Sequence, residues 1–281
     1  MGKVLLIGLA VLLAIGAAGL ALWRWSDHRA DAAEAARLVA TQPADPARFD
    51  PEMVSALPEA ARRYFLWAIE PGTPLYTVAQ FSMTGTFSMG TREAPAYMAM
   101  TARQTLAAPE GFVWSMTARR GAMLLSGSDA GQWTRFWMMG LIPVARMGGT
   151  PDHSRAAYGR YVAEAAFWTP AALLPGPAVA WEAGQDPDRA RAVVTHGGLA
   201  QVVELHVAPD GRLIAVVFPR WTDANPERIW REQPFGGVLS DWRAVDGFRV
   251  PFHVEAGNNF GTPDYFPFFV VDLNDYSLPG R

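Results

Sequence analysis

The chain has 281 residues, half of them apolar, with 24 basic and 27 acidic side chains and no cysteine. That length and apolar content suffice to bury the core of one large domain or two small ones. The near-balance of charge excludes an electrostatic nucleic-acid footprint, and the missing cysteines exclude disulfides and thiolate sites.

Residues 4–23, VLLIGLAVLLAIGAAGLALW, are uncharged between Lys3 and Arg24, which is about the 20 residues a helix needs to cross the hydrocarbon of a bilayer. Leu20, Trp23 and Trp25 follow the small residues where a cleavage site would stand, so an uncleaved anchor is expected, with the tryptophans at the interface. The short amino-terminal tail is read as inside and the large domain as outside, giving a single-pass protein of the cell membrane. The alanine-rich stretch that follows predicts a helical stem, and the three prolines of TQPADPARFDP predict a spacer holding the domain off the bilayer. The expected organisation is an anchor over 1–25, a stem and spacer over 26–52, and a β-rich extracytoplasmic domain over 53–281.

The folded domain opens with one helix. In ALPEAARRYFLWAIEPG, Pro58 marks its start, Gly72 lies beyond its end, and Leu57, Ala61, Tyr64, Phe65 and Ala68 recur at helical spacing. From residue 79 the period changes to two, and five strand-length segments separated by Gly, Pro or Asp-Ala-Gly signals predict an antiparallel meander. MGLIPVARMGG then reads as a short turn or helix.

TPDHSRAAYGRYVAEAAFW predicts a longer helix with Thr150 as its cap and Pro151 in its first turn. Thr169-Pro170 ends it, because proline removes a backbone donor and restricts the residue before it. Arg160, Glu164 and Trp168 share one face of this helix at i, i+4 and i+8. Strands resume after it, with His-Gly-Gly, Pro-Asp-Gly and Asp-Gly turns. Roughly ten strands with few helices and no interior linker favour a mainly β fold: a single large curved antiparallel sheet, or incomplete barrel, with a helical plug.

Motifs for chemistry are absent. His28, His153, His196, His206 and His253 are scattered without metal-ligand spacing, although His196 and His206 could face each other across a hairpin. LLSGSDAGQ is not a nucleophile elbow and reads as a hairpin turn with Asp129 in its loop; MGGTP is not a P-loop. Glu164 with Asp241 or Glu255 would form a two-carboxylate site only if the fold brought them together. No catalytic residue, cofactor or metal is assigned.

An apolar, adaptable surface is the stronger signal. Met98, Met100, Trp114, Met116, Trp133 and Trp137 lie on the first strand group, and methionine suits irregular or flexible ligands. Tyr161, Glu164 and Trp168 on the helix, with Leu173 and Leu174 after it, would fill the hollow of a curved sheet. These residues form the candidate ligand site, with an ordinary sheet core as the alternative. Glu164 itself is read as the acid that pins the plug.

Three stretches, LPEAARRYFLWAIEPG, GLIPVARM with RYVAEAAFWTPAALLP, and SDWRAVDGFRVPFHVEAG, resemble a family of bacterial membrane-anchored domains of unknown function, the 6544 family, over residues 57 to 278. That resemblance implies organisation and no activity. The pattern of Trp242, Val245, Asp246, Gly247 and Pro251 is similar to hairpins of lipoprotein-carrier (LolA-like) half-barrels, whose helices plug a concave sheet that binds acyl chains.

The function expected is a non-enzymatic, membrane-anchored domain binding a lipid or other hydrophobic molecule, with the membrane as its further partner and no nucleic acid or metal. An envelope enzyme using Glu164 with Asp241 or Arg243, and a scaffold with a filled core, are the alternatives.

Overall fold

In a computed structural model, which describes residues 2–280, a single helix, α1 (Gly2–Val39), contains both the apolar run and the stem. It is long and apolar enough to cross a membrane. A 3₁₀ turn at Pro51–Val54 and helix α2 (Glu59–Ala68) follow, and α2 buries Ala60, Ala61, Tyr64, Phe65 and Ala68. Six strands come next: β1 (Ala79–Ser88), β2 (Tyr97–Ala107), β3 (Gly111–Arg120), β4 (Met123–Ala130), β5 (Trp133–Met138) and β6 (Ile142–Gly148). Helix α3 (Pro151–Trp168) separates them from β7 (Val179–Ala183), β8 (Arg189–His196), β9 (Leu199–Val207), β10 (Leu213–Thr222), β11 (Arg231–Val245), β12 (Phe248–Asn258) and β13 (Phe266–Ser277).

All thirteen strands form one open antiparallel sheet in the order β6-β5-β4-β3-β2-β1-β13-β12-β11-β10-β9-β8-β7. Two meanders are thus joined at the β1–β13 pair, where Gly85 faces Val271. The sheet curls around α3, which packs against β2 and β3 on one flank and β9 and β10 on the other. From β3 to β10 is six strand intervals, about 29 Å if flat at 4.8 Å each, which is more than twice the 10–12 Å diameter of a helix. Only a strongly curved sheet can touch the helix with both. Bulges contribute to that curvature, at the register shifts between Ser82 and Met83 in the β1–β13 pair and between Ala256 and Asn258 in the β12–β13 pair.

Helix α3 is fixed at both ends. Thr150 accepts from the His153 amide at its start, and Trp221 Nε1 donates to Asp152 Oδ1 at 2.8 Å in the first turn. At its C-terminus, where helix carbonyls lack intrahelical partners, Tyr64 Oη donates to the Ala166 carbonyl at 2.5 Å and Tyr276 Oη to the Trp168 carbonyl at 2.6 Å. One tyrosine comes from α2 and the other from β13. The end of α3 is therefore tied to both the opening helix and the closing strand.

Three sequence expectations need correction. MGLIPVARMGG contributes an edge strand, β6, which tolerates Pro143 because an edge does not need every amide for pairing. Asp129 lies within β4, opposite Trp114 and Thr134, rather than in a turn. The stem is helical as expected, but neither it nor the Pro-rich segment stands clear of the domain: Gln42 accepts from the Thr77 and Val78 amides and Phe49 is buried in the main core. Asp27 is buried and accepts from Arg135, Arg146 and Trp137 Nε1, Asp31 accepts from Ser128, and Leu38 packs with Val78, Val113 and Ala130. The lower half of α1 is thus bound to the outer face of the sheet.

Candidate functional site

Beneath α3 the curved sheet leaves a cavity of about 460 Å³, within the roughly 300–1,000 Å³ typical of small-molecule sites. Val216 and Phe218 from β10, Phe235 and Leu239 from β11, Val254 and Ala256 from β12, and Phe266, Phe268 and Phe269 from β13 form one wall. Phe87, Trp114, Phe136 and Met147 face them from the first meander, and Ala163, Phe167 and Trp168 of α3 form the roof. Period-two alternation explains the wall: Val216, Phe218 and Arg220 project from the same face of β10.

The polar lining is organised around Arg160. Its Nε donates to Glu164 Oε1 at 2.8 Å and its NH1 to Asp129 Oδ2 at 2.7 Å. Gln104 donates to Glu164 Oε2, and Thr134 Oγ1 donates to Asp129 Oδ1 at 2.6 Å. Every oxygen of the two carboxylates is therefore occupied. Burial alone would lower the Arg160 pKa, but Glu164 and Asp129 outweigh it and hold the guanidinium above its ordinary value. Arg160 also lies 4.6 Å over the Phe112 ring, which fixes its plane.

Arg220 is the second cation of the lining, and its situation differs. Its Cζ lies 4.8 Å over the Phe235 ring, its Nε is buried without a partner, and it joins no ion pair among the described residues. Burial, reinforced by repulsion from Arg160, pushes its pKa down to about 10, so it remains charged at neutral pH.

Of the sequence-predicted site residues, Trp114, Glu164 and Trp168 line the cavity. Met98, Met100 and Met116 are almost wholly buried in the main core and do not reach it. Trp133 and Trp137 point to the opposite face. Trp133 Nε1 donates to Ser128 at 3.1 Å under an Arg135 guanidinium, and Trp137 lies 5.3 Å from Trp23 of α1. Tyr161 packs on Phe112 and Tyr158. Leu173 is fully buried and its carbonyl accepts from Trp181, while Leu174 packs at the edge of the core.

The structure does not form the envisaged acid pair. Asp241 is exposed and held by Arg243 at 2.6 Å, and Glu255 pairs with His253. His196 and His206 do not face each other either, since His196 pairs with Leu199 and His206 with Arg189. Among the described residues no group of three or more His, Asp or Glu is placed to hold a metal ion. The sequence reading missed Asp129, Arg220 and the phenylalanines of β10 to β13. A charged Arg220 in phase with Val216 and Phe218 was the available signal.

A family model described as a family of unknown function (DUF6544) matches residues 47–270. The chain belongs to that family. The match takes in α3 and the cavity-lining strands as far as Phe269. No curated protein matches the sequence. Two solved structures are similar. One, described as an outer membrane lipoprotein-sorting protein domain from Vibrio parahaemolyticus, is 11% identical, with 82% of this chain and 92% of that one covered and a TM-score of 0.37. The other, a LolA superfamily protein from Nitrosomonas europaea, is 12% identical, with 79% and 91% covered and a TM-score of 0.36. Both are of the lipoprotein-carrier kind that the Trp242 to Pro251 hairpin resembles. At those scores neither bears on what this chain binds.

Proposed function

We propose that the chain is a membrane-anchored extracytoplasmic domain that binds a lipid or another hydrophobic molecule in the cavity beneath α3. The observation that carries this reading is the unfilled space itself, roofed by Phe167 and Trp168 and walled by the phenylalanines of β10 to β13. Apolar side chains left lining a hollow of this size, rather than packed on one another, favour a ligand over a scaffold filled by its own core. An enzyme using Glu164 finds no support in the geometry, since both of its oxygens serve Arg160 and Gln104.

The anchor gives such a ligand a source. Trp23 stacks edge-on against Trp137 and lies under the Arg146 guanidinium, while Arg24 donates to Ser126. This holds the β5–β6 hairpin beside the membrane end of α1. Met139, Leu141 and Ile142 at its tip are each more than half exposed, in a position to enter the bilayer interface. From there the cavity face of the hairpin runs from Ile142 opposite Met138, past Ala145 opposite Phe136, to Met147 opposite Thr134. Phe136, Thr134 and Met147 already line the cavity, so the hairpin offers an apolar track from membrane to cavity.

The test uses the full chain in lipid nanodiscs with an acyl chain carrying a photoactivatable diazirine. Labelling of peptides from β10 to β13 is expected. Labelling confined to the apolar part of α1 would refute the proposal.

A further inference from the structure

Accepting the binding reading above, we infer that the occupant is an amphiphile with an anionic end, a carboxylate or a phosphate ester, seated against Arg220. A guanidinium has five N–H donors and no acceptor, and those of Arg220 meet no carboxylate, carbonyl or hydroxyl at hydrogen-bonding distance among the described residues. The two acids nearby, Asp129 and Glu164, are each closed on Arg160, with Thr134 and Gln104 taking their remaining oxygens. The cavity therefore holds two cations and two carboxylates, balanced in formal charge, and of these four groups Arg220 is the one with no direct hydrogen-bond partner among the described residues, standing beside the apolar wall.

The Nε donor of Arg220 is closed off from solvent without a partner, a cost that an acceptor arriving with the ligand would relieve. Arg220 is also oriented in advance, since its plane rests on the Phe235 ring, and a planar guanidinium donates two parallel hydrogen bonds to a carboxylate or phosphate. Phe218 lies two residues before Arg220 on the same strand face, and Phe268 stands 5.9 Å from Phe235. A chain attached to the bound anion would run along these rings. The charged end and the apolar wall are adjoining parts of one site, which suits an amphiphile and neither a bare hydrocarbon nor a free anion.

The experiment again uses the full chain in nanodiscs and compares three diazirine probes of equal chain length: a fatty acid, an alkyl phosphate and a fatty alcohol. The acid, the phosphate or both should label the cavity peptides at least about tenfold more than the alcohol, since a charge-assisted pair contributes about 1.5–3 kcal/mol. Arg220→Gln should bring the ratio of anionic to alcohol labelling to about one, with a cooperative thermal transition showing that the variant is folded; Arg220→Lys should retain a preference for the anion. Which anionic probe labels more strongly identifies the headgroup.

Equal labelling by all three probes in the wild type, or an unchanged preference in Arg220→Gln, would overturn the inference while leaving cavity binding intact. Displacement of the acid probe by equimolar inorganic phosphate would overturn it in favour of a small-anion site. No cavity labelling by any probe would overturn both this inference and the binding reading on which it rests.

Discussion

Replacing Glu164 with Gln separates a structural acid from a ligand-contacting one. Arg160 and Glu164 lie one turn apart, and on an exposed helix such a pair contributes only about 0.3–0.5 kcal/mol. Here the Glu164 side chain is 15% exposed and Arg160 is 22% exposed, and Gln104 adds a second hydrogen bond to the same carboxylate. Glutamine keeps the shape and one acceptor, and Arg160 keeps Asp129 at 2.7 Å. The loss should therefore fall below the 3–5 kcal/mol of a fully broken buried pair, at about 2 kcal/mol. For a domain of this size that corresponds to a fall in Tm of roughly 4–8 °C. Glu164→Ala, which also abandons Gln104, should cost more. Thermal unfolding of the full chain, followed by tryptophan fluorescence, measures both variants. A fall below about 1 °C in both, together with lost acyl labelling of the cavity, would show that Glu164 serves the ligand instead of pinning the helix.

Other perturbations probe separate joints. Tyr64→Phe and Tyr276→Phe each remove the partner of a carbonyl at the end of α3, and each should destabilise by about 1–2 kcal/mol in chemical denaturation. Asp27→Ala strips Arg135, Arg146 and Trp137 of a shared acceptor; it should cost about 3–5 kcal/mol and raise hydrogen exchange across residues 26–39. For His253, burial alone would lower the pKa, but hydrogen bonds to Asp272 and Glu255 outweigh it and hold the imidazole above its ordinary value. Its stabilising contribution is then fully present below about pH 6.5 and is lost as pH rises through the folded-state value, so His253→Asn should flatten that part of the stability profile. Leu141→Glu with Ile142→Glu should reduce acyl labelling of the cavity without altering Tm, because both residues are exposed.

The architecture was readable where backbone chemistry speaks locally. Thr150 and Pro151 mark the start of α3, the Thr169-Pro170 step marks its end, and Asp-Gly and Gly-Gly turns punctuate the meanders. Reading failed where tertiary context overrode local pattern. β6 is short, carries Pro143 and lies at the sheet edge, so it lacks a strong strand signature. β4 carries Ser126, Ser128 and Asp129 because its residues bind α1 on one face and the Arg160 network on the other. That polarity made it look like a turn.

The candidate site was legible in part for the same reason. The i, i+4, i+8 face of α3 did gather Arg160, Glu164 and Trp168 at the cavity, since helical geometry fixes that face. The methionines could not be assigned from sequence, because whether a curved sheet is filled by its own side chains depends on which strands meet across the hollow. Met98, Met100 and Met116 fill their part, and the space remains on the side of β10 to β13.

The most direct test of the central claim compares acyl photolabelling of the wild-type chain with that of Ala256→Phe in nanodiscs. Ala256 lines the cavity wall beside Gly237, so the added ring has space to enter without displacing the core. The account predicts that β10–β13 peptides are labelled in the wild type and at least about fivefold less in the variant, at equal Tm, because the ring takes the ligand's volume. Equal labelling of the two proteins would contradict it.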